Sequence, residues 1–319
     1  MGRPRVLPLA FGGFLFLSAA AAGRDAGSIL PLPKPPPQAP AKVELGRMLF
    51  LDPLLSADGK TSCASCHVLE QAGSNGQRFP TGSGGVVGEL NTPTVFNVAF
   101  NPRQFWDGRA DSLEAQIEEP IVGRAELASS WEKILPKLRA TPAYAQRFAA
   151  LYPNGVSATN VKDALAAFER SLVIPESRFD RYLRGDPTAI TQEEKAGYEL
   201  FRDYGCSSCH QGANVGGNMF QRFGVMANPF ARKEEASRAD RGRFNVTGDP
   251  RDLHVFRVPS LRLAAQTAPY FHDGSAETLA DAIDDMGEYQ LGVVIPQADK
   301  ALLIRFLEAL SSPAQGTMP

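Results

Sequence analysis

Apolar residues recur at intervals of three and four in three stretches of the chain. This spacing places them on one face of an α-helix. The three stripes are Trp131, Ile134, Leu135 and Leu138; Val161, Leu165, Phe168 and Leu172; and Leu302, Leu303, Phe306, Leu307 and Leu310. Such stripes are more typical of a packed core than of a cofactor site.

Regular patterning is weak elsewhere. Strand-like alternation is faint and occurs in HVFRVPSL, and two long polar, Gly-rich stretches cover residues 71–91 and 212–250. The Pro-rich run PLPKPPPQAP at 31–40 predicts an extended, semi-rigid segment, so the folded part is expected to begin near Ala41. The pattern predicts a mostly α fold with long loops.

The chain repeats itself once. KVELGRMLF at 42–50 and EEKAGYELF at 193–201 have the Gly and the closing Leu-Phe in register, and Thr191 with Glu194 forms a capping box before the second copy. Each copy predicts a short helix that leads into a cysteine motif. We therefore expect two domains, 41–186 and 187–319, divided after FDRYLRGD.

Length and charge narrow the class of protein. The 319 residues suffice for two domains of ordinary size, and 43% hydrophobic with 21% charged residues is ordinary for a globular protein. A net charge of −2 without a Lys/Arg run gives no sign of a polyanion-binding surface. A nucleic-acid partner is not expected.

The N-terminus is typical of an exported protein. Residues 1–22 combine two Arg, an apolar stretch and a small-residue cleavage site, which predicts a signal peptide, and residues 23–40 form the Pro-rich linker. A membrane anchor is the alternative, but the apolar run is shorter than the roughly 20 residues of a bilayer span and Pro8 interrupts it. We expect a periplasmic protein without a stable membrane span.

All four cysteines lie in two identical frames, Cys63-Ala-Ser-Cys66-His67 and Cys206-Ser-Ser-Cys209-His210. In an exported chain they could form two disulfides. The CxxCH frame, however, places two sulfurs on one turn for the vinyl groups of a haem and points the adjoining His at the iron. Two copies therefore predict two covalently bound haem c groups. Zinc is a weaker alternative, because a structural zinc site needs four ligands.

The supply of further iron ligands is uneven. Apart from His67 and His210 the chain contains His254 and His272, both in its second half. The residues between His67 and Asn91 include no His, Met, Lys, Tyr or Cys. The first haem is thus expected to lack a second ligand from its own loop, which favours an enzyme over an electron carrier.

Four segments resemble a known family, the bacterial di-haem cytochrome c peroxidases and their MauG-type relatives. The similarity spans most of the mature chain and preserves the order of both haem motifs. The segments are NTPTVFNVAFNPRQFWDGRADSLEAQ at 91–116, SRFDRYLRGD at 177–186, GYELFRDYGCSSCHQGANVGGNMFQ at 197–221, and the elements VFRVPSLR, TAPYFHDGSAETL and DDMGEYQLG within 255–292.

The resemblance implies roles around the first haem. Trp106 is expected to lie between the two haems and couple them, and Gln116 and Glu126 to line the open face of the first haem, with Pro120 shaping the pocket. A carboxylate there can act first as base and then as acid while peroxide is cleaved. An amide such as that of Gln116 can orient peroxide but cannot titrate.

The resemblance also implies that Met286 is the sulfur ligand opposite His210, with Met219 and Met226 as competing sulfurs. A thioether ligand raises the haem potential. MauG-type enzymes can have Tyr at the matching position, so Met favours the peroxidase. In addition, a calcium ion is implied between the domains, bound by the Asn91 side chain and the carbonyls of Thr267 and Pro269.

One departure from the family concerns the loop after the first CxxCH. Many family peroxidases carry a His there that blocks the peroxide face until the second haem is reduced, whereas this chain has Ser and Gly. We hypothesise a first haem that is five-coordinate or water-bound at rest. His272 is expected to support the domain junction, and His254 to be structural.

The expected protein is an exported di-haem peroxidase that reduces hydrogen peroxide to water. Its electrons would come from a small c-type cytochrome or a cupredoxin, and the family resemblance makes a homodimer possible. Two alternatives remain: a MauG-type enzyme that oxidises side chains of a partner protein, and a di-haem electron-transfer cytochrome.

Overall fold

The computed structural model describes Gly2 and residues 28–174, 176–231 and 236–311. The predicted signal peptide therefore lies, apart from Gly2, outside the described residues. The described chain is mostly helical, as expected. The α-helices are α1 (Pro40–Leu51), α2 (Cys63–Cys66), α3 (Leu113–Val122), α4 (Trp131–Ala140), α5 (Pro142–Leu151), α6 (Ala158–Ser171), α7 (Arg178–Leu183), α8 (Gln192–Asp203), α9 (Phe244–Thr247), α10 (Leu279–Asp285) and α11 (Gln297–Ala309).

Irregular and short elements fill the predicted loops. The faint alternation at HVFRVPSL corresponds to a short strand, β2 (Val255–Arg257), that pairs antiparallel with β1 (Phe220–Arg222). A π-helical turn, Met286–Leu291, continues α10. Short 3-10 turns occupy Pro53–Leu55, Leu69–Gln71, Ser83–Gly85, Val98–Phe100, Cys206–Ser208, Ala239–Arg241, Pro250–Asp252 and Ala264–Gln266. None of the helices in these described ranges is long and apolar enough to cross a membrane.

The internal repeat corresponds to two equivalent helix pairs, α1 with α6 and α8 with α11. The shared glycine explains the register: a Cβ on Gly46 would lie 2.0 Å from the carbonyl oxygen of Ala164, and one on Gly197 would lie 2.0 Å from that of Leu302. Only a residue without a side chain allows these backbones to approach so closely. The predicted capping box is confirmed, because the Thr191 side chain accepts from the Glu194 amide.

The core consists of two hydrophobic clusters. One is built mainly on α1 and α3 to α6 and the other mainly on α7, α8 and α11. Phe179 of α7 belongs to the second cluster, whereas Leu263 belongs to the first. The domain boundary at residue 186 stays a prediction, and the packing shows that each half contributes residues beyond it.

The segment before α1 is anchored on the fold. Ile29 and Leu32 are buried, and the Leu32 amide donates to Asp180 Oδ1 at 2.9 Å. Asp180 also forms an ion pair with Arg262 at 2.8 Å in which both side chains are fully buried. This network ties the N-terminal segment and α7 to the second half of the chain.

Candidate functional site

The first cysteine motif is a single helical turn, α2, with His67 directly after it. The motif begins with a capping box in which the Ser62 and Ser65 side chains bond reciprocally to backbone amides. His67 Nδ1 lies 3.2 Å from the Gly73 carbonyl oxygen, and burial lowers the pKa of the imidazole. A neutral ring that donates from Nδ1 keeps the Nε2 lone pair for a metal.

The second motif is a 3-10 turn, Cys206–Ser208, that leads to a buried His210. Burial lowers the pKa of His210 to about 4, opposed by the nearby carbonyls of Val215 and Pro259. His210 Nδ1 nevertheless forms no hydrogen bond of good geometry within the described residues. The imidazole is therefore neutral, as a metal ligand must be.

None of the four cysteines forms a disulfide. Burial raises the pKa of Cys63 to about 12 and that of Cys206 to about 11, so both are thiols at neutral pH. The two-disulfide alternative is absent from this structure. Each CxxC pair instead presents its sulfurs as free thiols beside a neutral His, which suits thioether attachment to a haem.

A cavity of about 270 Å³ opens around the second motif. Its lining is largely apolar and includes two cysteines, a neutral imidazole and a thioether, contributed by Cys206, Cys209, His210 and Met286. This donor set fits a covalently attached haem c, whose iron His210 and Met286 would hold. Trp106, Asn91, Thr267 and Pro269 line the same cavity.

Met286 is placed by a change of helix type. It is the first residue of the π-helical turn that follows α10, and such turns occur frequently at functional sites. Two other sulfurs compete with Met286. Met226 is 61% exposed, and the Sδ of Met219 lies 3.7 Å from the side-chain nitrogen Nε2 of Gln211. Neither is among the residues that line the cavity, so the structure brings Met286 and His210 together.

Trp106 is held from two directions at this cavity. Its indole N–H donates to the Asn91 carbonyl oxygen at 3.0 Å, and its own carbonyl accepts from the Arg257 amide at 2.8 Å. Asn91 is buried, and its side-chain nitrogen donates to the carbonyls of Gln77 and Arg78. Asn91 therefore holds the indole in place, and its role in a calcium site stays a prediction.

Glu126 lies in a turn that folds back on the end of α3. Its amide donates to the Gly123 carbonyl at 3.0 Å, and the next amide, Leu127, donates to the Pro120 carbonyl at 3.1 Å. The loop that follows the first CxxCH packs on this turn, because the Ser83 amide donates to the Glu126 carbonyl at 2.7 Å. The ligand-poor loop and the predicted proton carrier are therefore in direct contact.

The electrostatics of Glu126 suit proton transfer. Burial raises the pKa of its carboxyl group, Arg109 lowers it and Glu119 raises it. The Glu126 charge is close enough to raise the pKa of both Cys63 and Cys66, which places this carboxyl group near the first CxxCH.

Arg109 was missed by the sequence reasoning, although it stands in the DGR segment directly after Trp106. Its Nε donates to Glu119 at 2.7 Å, its Nη1 donates to Asp107 at 2.9 Å, and its guanidinium lies 3.6 Å from the Phe105 ring centre.

Gln116 is half-buried on α3, one turn before Pro120. Proline has no N–H, so the hydrogen bond that would normally reach the Gln116 carbonyl is lost. This opens the helix at the position where the chain turns toward Glu126. Pro120 contacts the turn of Glu126 through the Leu127 amide, and Gln116 lies one helical turn before Pro120, while the roles of all three stay predictions.

The two remaining histidines belong to the junction beneath Trp106. His272 Nε2 lies 2.8 Å from Asp240 Oδ1, and its carbonyl accepts from the Asn91 amide at 2.8 Å. His254 Nδ1 lies 2.7 Å from the Asp240 carbonyl, and its ring is stacked on Phe230. Potential ligand atoms of His272, Asp240 and Asp273 lie within 4.8 Å of one another. These contacts agree with the supporting roles expected for both histidines.

Comparison with known proteins gives the family. A family model described as di-haem cytochrome c peroxidase matches residues 40–188. Cytochrome c peroxidase Ccp of Escherichia coli is 44% identical over 89% of this chain, which spans only 61% of that protein's length. Cytochrome c551 peroxidase of Nitrosomonas europaea is 39% identical and is covered over 88% of its length, with 94% of this chain aligned.

A solved structure supports the same assignment. The crystal structure of a MauG-like protein associated with microbial copper homeostasis superposes with a TM-score of 0.79 at 29% identity, covering 91% of this chain and 95% of that one. The haem motifs, the fold and these similarities agree. The chain belongs to the di-haem cytochrome c peroxidase family.

Proposed function

We propose that this protein is an exported di-haem peroxidase, built from two cytochrome c-like domains, that reduces hydrogen peroxide to water. The reaction consumes two electrons and two protons as the O–O bond breaks and two water molecules form. One electron donor molecule is oxidised for each electron delivered. A small c-type cytochrome or a cupredoxin is the donor class that fits such single-electron steps.

The observation that carries this proposal is the unequal surroundings of the two CxxCH motifs. His210 shares a cavity with the thioether of Met286. Near His67 the sequence offers a loop without a sulfur or imidazole, and this loop is packed on the turn that carries Glu126. One iron held by a thioether and one left accessible to small molecules would give the two different haems that a two-haem peroxidase needs.

The haem at Cys63 and Cys66 would supply the iron that binds peroxide and the electrons that reduce it. The residues of the chain control the protons. Glu126 would accept a proton from one peroxide oxygen and return it to the other. Burial raises the pKa of its carboxyl group, which supports this role. Gln116 would orient peroxide through its amide.

The other half would store the second oxidising equivalent. Met286 and His210 would hold the second haem at a raised potential, and Trp106 would couple the two halves electronically. Trp106 suits this role because its indole N–H donates to the Asn91 carbonyl and its backbone carbonyl accepts from the Arg257 amide, so the residue is held at the cavity. Calcium bound by Asn91, Thr267 and Pro269 would stabilise this junction, and the periplasm and a homodimer are the proposed setting.

The proposed function is tested by Glu126→Gln in the holoenzyme. Amide replaces carboxyl at nearly constant volume, so haem loading is expected to be unchanged while peroxide turnover with a reduced c-type cytochrome falls by about 10²–10⁴-fold. Stopped-flow mixing with peroxide would assign the loss to the first chemical step.

Glu118→Gln is the matched control on the adjoining helix. Glu118 forms an ion pair with Lys162 and accepts from the Trp131 indole, so its carboxylate is occupied in packing. This variant should stay within about threefold of the unaltered enzyme, since an exposed ion pair contributes under about 1 kcal/mol. Equal losses in both variants would refute a proton-carrying role for Glu126.

The MauG-type alternative is favoured by the structural similarity to a MauG-like protein. Such an enzyme would use the same open haem to oxidise side chains of a partner protein. Steady peroxide consumption with reduced cytochrome c supports the peroxidase. Slow turnover with a long-lived oxidised state would support protein modification.

A further inference from the structure

Two buried arginines stand five residues apart, one at the end of β2 and one just after it. Both Arg257 and Arg262 line the cavity, with exposed fractions of 7% and 1%. Arg262 is fully paired: its guanidinium donates to both carboxylate oxygens of Asp180 at 2.8 and 2.9 Å, and its Nε donates to the Ala213 carbonyl. Arg257 also donates from Nε to a backbone carbonyl, but it has no carboxylate partner among the described residues.

The Arg257 guanidinium makes one side-chain hydrogen bond to the described residues, from Nε to the Phe105 carbonyl at 3.1 Å. Its Nη1 is buried and has no partner among them. Burial lowers its pKa to about 10, so the group remains charged at neutral pH. The interior therefore holds a cation without its anion.

A buried guanidinium without a partner costs several kcal/mol, which a stable fold rarely tolerates. The required anion does not come from the cavity wall. The described lining residues include Arg222, Arg257 and Arg262 but no Asp or Glu. An anion that neutralises Arg257 must therefore arrive with whatever occupies the cavity.

Arg257 is also firmly placed. It ends β2, where it pairs with Phe220, and its amide donates to the Trp106 carbonyl at 2.8 Å. The same side chain donates to the Phe105 carbonyl. The guanidinium is thus fixed between the strand and the segment that carries Trp106, and the cavity is where its unpaired Nη1 can meet a ligand.

We propose that the Arg257 guanidinium binds a propionate carboxylate of the haem attached at Cys206 and Cys209, beside Trp106. This inference rests on the haem content of the proposed function and does not depend on which substrate the enzyme oxidises or reduces. A guanidinium pairs with a carboxylate through two parallel hydrogen bonds. The contact would fix the haem edge against the residue that couples the two halves.

The contact also affects redox poise. A fixed cation next to a haem stabilises the reduced form, which carries one more electron. Arg257 would therefore add to the effect of the Met286 thioether and keep the second haem easy to reduce. Removing the charge should shift the reduction equilibrium of that haem alone.

The experiment uses the holoprotein with Arg257→Gln, Arg257→Lys and the charge-matched control Arg305→Gln. Arg305 lies on α11 with its side chain 58% exposed, so water screens its charge. In Arg257→Gln we expect the equilibrium constant for reduction of the second haem to fall about tenfold. This corresponds to a fall of about 59 mV in its midpoint potential. Arg257→Lys should retain most of the potential, and Arg305→Gln all of it.

Resonance Raman spectroscopy gives the direct readout, because the propionate bending band reports hydrogen bonding to that carboxylate. The band should shift in Arg257→Gln and in Arg257→Lys, and stay in place in Arg305→Gln. An unchanged band in both Arg257 variants overturns the proposal, even if the potential moves. If Arg257→Gln does not accumulate with haem, the band in Arg257→Lys decides.

Failure of the proposed function would be visible separately. A protein that binds two haems but does not turn over peroxide would still show the Raman shift and the change in potential. If the protein turns over peroxide but the Arg257 variants change neither the Raman band nor the potential, the proposed function stands and the Arg257 proposal is wrong.

Discussion

The two halves of the molecule attach their cysteine motifs in the same way and surround them differently. In each half a helix with a glycine at its crossing point leads to a CxxCH turn, and each His has a pKa lowered by burial. The second turn faces a cavity with a thioether and buried arginines. Near the first lie a Gly-rich loop and the buried carboxyl group of Glu126.

This difference teaches that the repeated scaffold and the chemistry are separable. The helix pairs position the attachment turn, and the loops that follow it supply or withhold ligands. Function placed in loops on a shared scaffold is a general property of folds. Under the proposed function, one repeated scaffold with different loops would provide a charge store and a reaction site in one chain.

The largest expected effect comes from Met286→Leu, which would make the second half resemble the first. Leucine fills a similar volume but cannot bind iron, so the second haem should lose its low-spin state. Its potential should fall by a substantial part of the axial-ligand range, which is on the order of 0.8 V. Redox titration with optical detection measures this fall.

Met226→Leu and Met219→Leu are the matched controls for that experiment. Both alter a thioether near the second motif that does not line the cavity. Their potentials should be close to that of the unaltered protein. If Met219→Leu gave the low potential and Met286→Leu did not, the assignment of the sulfur ligand would be wrong.

The next largest effect is expected at the glycine that each half has at its helix crossing. Gly46→Ala and Gly197→Ala each place a Cβ about 2.0 Å from a backbone carbonyl oxygen of the partner helix. Backbone must move in both cases, so each variant should lose at least about 1–3 kcal/mol in the free energy of unfolding. Urea titration of the holoprotein measures the loss.

Glu199→Ala serves as control, because it changes an exposed position on α8 and should alter the unfolding free energy by under about 0.5 kcal/mol. Unequal costs at the two glycines would show that the helix pairs are not equivalent. Equal costs would confirm that the repeat is a packing unit, independent of the chemistry beside it.

The sequence predicted the scaffold well, because the scaffold follows from local patterns. The stripe in 302–310 is core in α11, and the repeated glycine marks the helix crossings. The family resemblance also singled out Trp106 and Met286, and the structure places both in the lining of one cavity with His210. Such features depend on periodicity or on motifs that are read along the chain.

Partnerships between distant side chains could not be predicted in this way. Arg109 influences Glu126 because the turn after α3 folds back, and Arg257 is distinctive because its buried Nη1 has no partner among the described residues. The N-terminal segment reads as a linker, yet Ile29 and Leu32 are buried. Whether a buried charge has a partner can be seen only when the three-dimensional surroundings of that charge are known.

A smaller effect is expected from Gly85→His, which would add a ligand to the ligand-poor loop. A Cβ on Gly85 meets nothing within 4 Å, and its φ of +80° is one that His tolerates better than most residues. If the imidazole binds the iron with a net free energy of about −1.4 kcal/mol, the blocked form is favoured over the open form about tenfold. Ferric spectra should become more low-spin and peroxide turnover should fall.

Gly59→His is the matched control, since Gly59 also has positive φ and open space around its Cβ. It should leave both spectrum and turnover unchanged. A low-spin first haem in the unaltered resting enzyme, with reactivity only after one-electron reduction, would contradict the hypothesis of an open site. It would also make the two halves more alike than their loops indicate.

The smallest effect concerns the pH dependence of the first half. Glu126 must be ionised to accept a proton from peroxide, so turnover falls as the pH drops through its pKa. The Glu119 carboxylate raises that pKa and Arg109 lowers it. Glu119→Gln removes the anion and frees Arg109, and both changes lower the pKa of Glu126.

The acid limb of kcat/KM should therefore move to lower pH in Glu119→Gln, by less than about one pH unit because solvent screens the pair. Arg109→Gln should move the limb in the opposite direction, since it removes the neighbouring cation and leaves Glu119 unpaired. Glu118→Gln, on the same helix, should not move it. An acid limb that is identical in all three variants would show that a group other than Glu126 accepts the proton, and the first half would then owe its reactivity to an open iron alone.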